Sequence, residues 1–308
     1  MRYQNPIIKG FYPDPSVCAA NGHFYLVSSS FQFFPGVPLF ESDDLVNWTQ
    51  IGHVLTRKSQ VMLEDINSSG GVFAPTIRFY KGRFYMVTNN NTTQENFYVY
   101  TDDIHGEWSD PIVVDQGGID PSLYFEDDRC FFISNGNDEN GKGCVMQCEI
   151  EVTTGKKLSD SRPIWSGSGG RYLESPHMYK IGDYYYLMAA EGGTEYGHMV
   201  TYARSESIWG PFENYPANPV LTKTTYNLNT DAEYLKQAME EADGLTFSGS
   251  ESDYGLYLET VNGLTADYNT DGAYWSIYVN GDYGNYGVDS QPVADGDTYT
   301  LQYEKYTE

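Results

Sequence analysis

The 308 residues carry 43 Asp and Glu against 18 Lys and Arg, a net charge of −25. A surface so acidic repels phosphate backbones and anionic lipid, which excludes nucleic acid and membranes as partners but not a neutral sugar polymer. The abundance of Tyr (28), Phe (15) and Gly (31) favours pleated, turn-punctuated structure, so the expectation is an all-β architecture rich in aromatic faces.

The opening segment MRYQNPIIKGF lacks the apolar core of a signal peptide, and no apolar run reaches the length of a membrane span. The expected location is the cytoplasm. Four similar units then follow. Each begins with a residue–Pro pair: Asp14-Pro15, Ala74-Pro75, Asp120-Pro121 and Ser175-Pro176. Each continues through a turn into an aromatic-apolar run, in order HFYLVSSS, RFYMVTNN, CFFISNGN and YYYLMAAE. A polar strand and a Trp close the units, at Trp48, Trp108, Trp165 and Trp209. Units of about 45–60 residues made of short strands match four-stranded propeller blades. No amphipathic helix pattern falls between the strands, which disfavours a doubly wound α/β fold. Pro cannot donate to a ladder, so it sits naturally at the first residue of a strand. The residue before it then lies at the mouth of the axis.

Within these units, Cys144 and Cys148 lie four apart without a second ligand pair, and with Cys18 and Cys130 they read as reduced structural thiols rather than a metal site. GSGG at 167–170 and EGG at 191–193 lack the Lys-Ser/Thr ending of a phosphate loop.

Composition changes near residue 223. Beyond it stand sixteen acids against three lysines, with no Arg, His or Cys. TDAEYLKQAMEEADGL predicts a helix, with Thr230 and Glu233 as a capping box and Gly244 as its stop. Alternating segments follow, with turns at Asn262-Gly263, Asn280-Gly281 and Asp295-Gly296. Asp267 and Asp271 in DYNTDG lack the full ligand spacing of a calcium loop and read as solvated turn residues. The expected division is 1–222, a propeller, and 223–308, a small acidic α+β domain.

Asp14, Asp120 and Glu174 occupy matching repeat positions, the last displaced by one. Equivalent inner-strand positions of a propeller converge on one axis. Singly, each is read as readily as a turn opener or a solvated carboxylate. Together they suit glycoside hydrolysis, in which one carboxyl protonates the leaving oxygen and another activates water. A third can hold the acid's pKa high by like-charge repulsion.

The segments FYPDPSVC, SSSFQFFPGVPLFESDDLVNW, GGVFAPTIRFYKGRFYMVT, GGIDPSLYFEDD and GGRYLESPHMYKIGDYYYLMAAEGGTEYGHM resemble glycoside hydrolase family 43 over residues 1–222, in particular its β-xylosidase and α-L-arabinofuranosidase branch. The resemblance implies a five-bladed propeller and hydrolysis with inversion. It implies Asp14 as general base, Asp120 as modulator of the acid's pKa, and Glu174 as general acid. Ser175 stands where the family usually has Gly. Phe31 matches an aromatic that packs on the terminal sugar, Phe73 stands where Trp is frequent, and Arg78 is placed as a pocket residue. The implied partner is a xylo- or arabino-oligosaccharide. No cofactor is required. A structural calcium is compatible with the family, but the fifth-blade His that usually organises it is absent, as is a substrate-binding Arg, because Arg204 and His198 are the last of their kind in the chain. Residues 226–308 resemble transcobalamin C-terminal-like domains of secreted proteins. That contrast with the first part points to a joined or truncated chain. The function expected is an exo-acting pentosidase impaired by its missing blade; the alternative is a non-catalytic propeller that binds sugar or a partner. Oligomeric state is left open.

Overall fold

The computed structural model describes residues 6–194, 198–222, 226–252 and 255–306. The chain divides into two compact units, one within 7–224 and the other built on 225–308.

The first unit is four consecutive antiparallel meanders. Sheet one is β1 (Ser16–Ala20), β2 (His23–Val27), β3 (Gly36–Ser42) and β4 (Thr49–Leu55). Sheet two is β5 (Val72–Tyr80), β6 (Arg83–Asn90), β7 (Glu95–Thr101) and β8 (Ile112–Val114). Sheet three is β9 (Ser122–Glu126), β10 (Arg129–Asn137), β11 (Gly143–Ile150) and β12 (Arg162–Trp165). Sheet four is β13 (Glu174–Ile181), β14 (Tyr184–Glu191), β15 (Met199–Ser205) and β16 (Glu213–Asn214), with β17 (Leu221–Thr222) also on β15. The first strands adjoin in succession: β1 meets β5, β5 meets β9 and β9 meets β13. Such contact between first strands is how propeller blades share an inner rim. None of the four sheets closes on itself.

Local chemistry explains the first hairpin of three sheets. Asn21-Gly22, Lys81-Gly82 and Asp127-Asp128 are two-residue loops with both φ angles positive. That geometry matches the right-handed twist of the flanking strands. The aromatic runs become β2, β6, β10 and β14. The inner two are apolar without alternation because both faces are covered. Phe84 and Met86 pack toward sheet one with Val27 and Leu39, while Tyr85 and Val87 pack toward sheet three with Phe132 and Cys148. One residue along β10 the direction reverses, and Phe131 and Ile133 pack with Met178 and Leu187 of sheet four. Burial of each such side chain contributes about 1.5–3 kcal/mol.

The second unit has its own core, in which Leu235, Met239, Leu258, Val261 and Val288 pack together. It holds α1 (Leu235–Glu241), a sheet of β18 (Phe247–Ser252), β19 (Gly255–Val261) and β20 (Leu264–Thr265), then α2 (Tyr268–Asp271). A second sheet has the order β22 (Asp282–Tyr283), β21 (Ala273–Val279), β23 (Tyr299–Lys305). Two expectations need correction. The unit is nearly all β rather than α+β, because its helices are only seven and four residues long. The helix also starts later than the Thr230 cap implied. Its cap is Tyr234, and Gln237 supplies the reciprocal bond, accepting from the Tyr234 amide at 3.1 Å and the Glu233 amide at 3.0 Å. Thr230 instead donates to Glu241 and accepts from the Ala232 amide. Asn262-Gly263 and Asn280-Gly281 form positive-φ turns, and Asp267 caps α2 by accepting from the Asn269 and Thr270 amides. Among the described residues no helix is long and apolar enough to cross a membrane.

Candidate active site

Three of the four residue–Pro pairs enter their first strand through an unusual backbone. Asp14, Asp120 and Ser175 have φ of 54°, 53° and 50°. Left-handed geometry at a residue with a side chain costs about 1–3 kcal/mol and persists only where its surroundings enforce it. Ala74, the counterpart in sheet two, does not share the positive φ, although the register of β5 against β6 shifts between Phe73 and Thr76. The strain therefore marks the residue before the proline in sheets one, three and four. Ser175, not Glu174, is the true repeat equivalent of the two aspartates, and Glu174 projects from the residue before it.

The end of the second strand in three sheets holds the corresponding entry loop. In sheet one the Ser29 amide donates to Pro13 O at 3.0 Å, and Ser29 Oγ donates to Asp14 Oδ2 at 2.5 Å. In sheet three Asn135 donates its amide to Ile119 O at 3.2 Å and accepts the Ile119 amide on Oδ1 at 2.7 Å. A Cβ on Gly118 would overlap Asn135 O, so only glycine permits this approach. In sheet four the Gly192 amide donates to Arg171 O at 2.7 Å. Buried Glu191 accepts from the Ser168 amide at 2.6 Å, the Gly170 amide and the Thr201 hydroxyl at 2.9 Å.

The three carboxylates meet electrostatically. Burial, then the charges of Glu174 and Asp14, push Asp120 up to about 7, against the opposing hydrogen bond from Ser175 Oγ at 3.1 Å. Glu174 is also raised, first by burial and then by Asp14, while His198 pulls it down. Asp14 is exposed. Two half-buried carboxyls that favour the protonated form thus stand beside an exposed one. A cleft of about 820 Å³ adjoins Glu174 but is not lined by Asp14 or Asp120; Tyr172 and Leu173 border it together with Gly118, Asn135 and Asn137.

Phe31 lies two residues past the Asp14 contact, with its backbone paired to Val72. Its ring stacks on Phe11 at 5.7 Å and meets Phe73 edge-on at 5.4 Å. Phe31 and Phe73 therefore form one apolar wall. Arg78 stands in β5 four residues after Ala74, as Cys18, Tyr124 and Tyr179 stand four after Asp14, Asp120 and Ser175. Its Nη2 lies 2.8 Å from His177 Nδ1, and its guanidinium 5.7 Å from the Tyr179 ring centroid. Arginine only donates, so His177 Nδ1 accepts and the ring is neutral. Burial and then Arg78 push His177 down to about 3. None of the described partners of Arg78 is one of the three carboxylates.

His198, Glu191 and Asn135 escaped the reading of the sequence. For Asn135 a signal was present, because CFFISNGN repeats the second-strand run that carries Ser29 in HFYLVSSS. The described residues contain no cluster of three or more His, Cys, Asp or Glu placed to hold a metal.

Successive four-stranded antiparallel meanders whose first strands adjoin are the blades of a β-propeller, here with three carboxylates brought near one another. The family model of glycosyl hydrolases family 43 matches residues 3–283, and the chain belongs to that family. The match continues well past residue 222, into the second unit. A non-reducing end α-L-arabinofuranosidase of Bacteroides ovatus is 43% identical over 245 residues, covering 78% of this chain and 45% of that protein. A β-xylosidase of Bacillus subtilis is 38% identical over 234 residues, covering 72% and 44%. The chain thus spans less than half the length of these curated relatives. Among solved structures, a xylan β-1,4-xylosidase from Bacillus halodurans aligns with TM-score 0.69 at 31% identity, covering all of this chain and 55% of that one.

Proposed function

We propose that this chain carries the catalytic centre of an inverting, exo-acting glycoside hydrolase that releases xylose or arabinose from plant-wall oligosaccharides. The observation that carries the reading is the electrostatic coupling of Asp120 to both Glu174 and Asp14, three residues delivered by three different sheets. Asp14, exposed and oriented by Ser29, removes a proton from water as the water oxygen bonds to the anomeric carbon. Glu174, raised above its ordinary value, gives its proton to the leaving oxygen as the glycosidic bond breaks. Asp120 and Glu174 repel as like charges, so the pair retains a proton to higher pH than an isolated carboxyl would, and Asp120 thereby tunes the acid. The wall of Phe31 and Phe73 packs against the apolar face of the terminal sugar. Arg78 links β5 to β13 through His177 and the Tyr179 ring.

The names of the relatives support pentosides of the xylose and arabinose type as substrates. The test is hydrolysis of 4-nitrophenyl β-D-xyloside and 4-nitrophenyl α-L-arabinofuranoside by the purified chain and by Asp14→Ala. Turnover of either substrate that vanishes in the variant supports the reading. Turnover that survives Asp14→Ala, or none in the parent chain, refutes it.

A further inference from the structure

The loop of residues 167–173 delivers Glu174 to the site, yet it has no regular secondary structure of its own. Its conformation is imposed by the end of β14. Glu191 is fully buried and spends both carboxylate oxygens on the loop. Oε1 accepts from the Ser168 amide and from Thr201 Oγ1 on the neighbouring strand, and Oε2 accepts from the Gly170 amide. The fit is close: an added Cβ on Gly167 would stand 2.9 Å from Oε1, and one on Gly170 would overlap Oε2. The next residue continues the grip, since the Gly192 amide holds Arg171 O. Glu174 itself pairs with Ala190, adjacent to Glu191 in sequence. One buried side chain thus ties together the loop before the acid, the strand beside the acid and the strand beyond it.

We propose that Glu191 is a positioning residue for proton donation by Glu174. A carboxylate is needed because all three partners donate, and only a side chain with acceptors on both oxygens satisfies them. Glutamine keeps the volume but turns one oxygen into a donor, which faces a backbone N–H whichever way the amide lies. Buried donor against donor is costly, so the loop must shift. A displacement of about 1 Å at a reacting group costs about a hundredfold in rate.

This inference rests on Glu174 being the acid, so the experiment compares Glu191→Gln with Glu174→Ala on two substrates. Xylobiose needs its leaving oxygen protonated, and 2,4-dinitrophenyl β-D-xyloside hardly does. Glu191→Gln should lower kcat on xylobiose about a hundredfold with KM little changed, and lower kcat on the activated glycoside less than about fivefold. Amide exchange of the peptide spanning 167–174 should quicken in the same variant. Thr201→Val, which removes one hydroxyl and leaves the backbone bonds in place, should move both readouts the same way by less. Equal losses on the two substrates, or unchanged exchange over 167–174, overturns the inference. If Glu174→Ala fails to separate the substrates, the role of Glu174 falls instead, and the exchange measurement still decides whether Glu191 holds the loop.

Discussion

Replacing Asp120 by Asn should stabilise the protein at neutral pH and do nothing for it in acid. Asp120 is raised from 3.8 to about 7 by burial and by the neighbouring charges of Glu174 and Asp14. Between those values the folded protein holds a proton that the unfolded chain has released, so stability falls as pH rises through that window. Below pH 3.8 the group is protonated in both states and contributes no difference. At about 1.4 kcal/mol per pH unit, the full displacement is worth about 4 kcal/mol. Asp120 is half-buried, so solvent screening brings the expected gain down to about 2 kcal/mol. Asn is nearly the same size, and its carbonyl can still accept from Ser175 Oγ. For a unit of this size about 2 kcal/mol corresponds to a rise in Tm of about 4–8 °C. The assay is thermal unfolding of parent and Asp120→Asn between pH 4 and 8, following the transition of residues 7–224. The gap in Tm should open from near zero at pH 4 to its full value by pH 8. A gap independent of pH, or a less stable variant at pH 8, would refute the account of Asp120 as a strained charge.

Nuclear magnetic resonance of the first turnover should show the sugar released with inverted anomeric configuration, and a retained product would exclude Asp14 as the base. His198→Ala removes the group that pulls Glu174 down, so the alkaline limb of the kcat/KM profile should move to higher pH; an unmoved limb would detach His198 from the acid. Phe31→Ala should raise KM about tenfold with a smaller change in kcat, since it strips the face of the wall while leaving the carboxylates in place. Because the two units have separate cores, calorimetry should resolve two transitions, and a single cooperative one would argue against their independence.

Much of this was legible in the sequence because the propeller repeats itself. The four aromatic runs became second strands, and the residue–Pro pairs became the entries to first strands. Asp14 and Asp120 precede a proline at matching positions, and Glu174 stands one residue before the third such position. What stayed hidden depends on contacts distant in sequence. Glu191 was visible only as the end of an apolar run and the start of a short Gly motif. Its role arises when the end of β14 folds over residues 168–171. The contact of Arg78 with His177, ninety-nine residues away, likewise has no signal in the local sequence. In the tail the helix start was misjudged because Thr230 and Glu233 have the spacing of a capping box, while Gln237 completes the one that forms.

The separate delivery of the carboxylates also governs when the site can exist as the chain is made. Asp14 and Ser29 belong to the first sheet and can meet as soon as it forms. Glu174 cannot be held until Thr201 has followed it, with β14 paired to β15. Until then Asp120 lacks the neighbour that most strongly opposes its charge. The electrostatic penalty of gathering like charges is therefore deferred to the last docking step, after the packing of three sheets is already in place to withstand it. The full set of three carboxylates is therefore assembled only after β15 has been made.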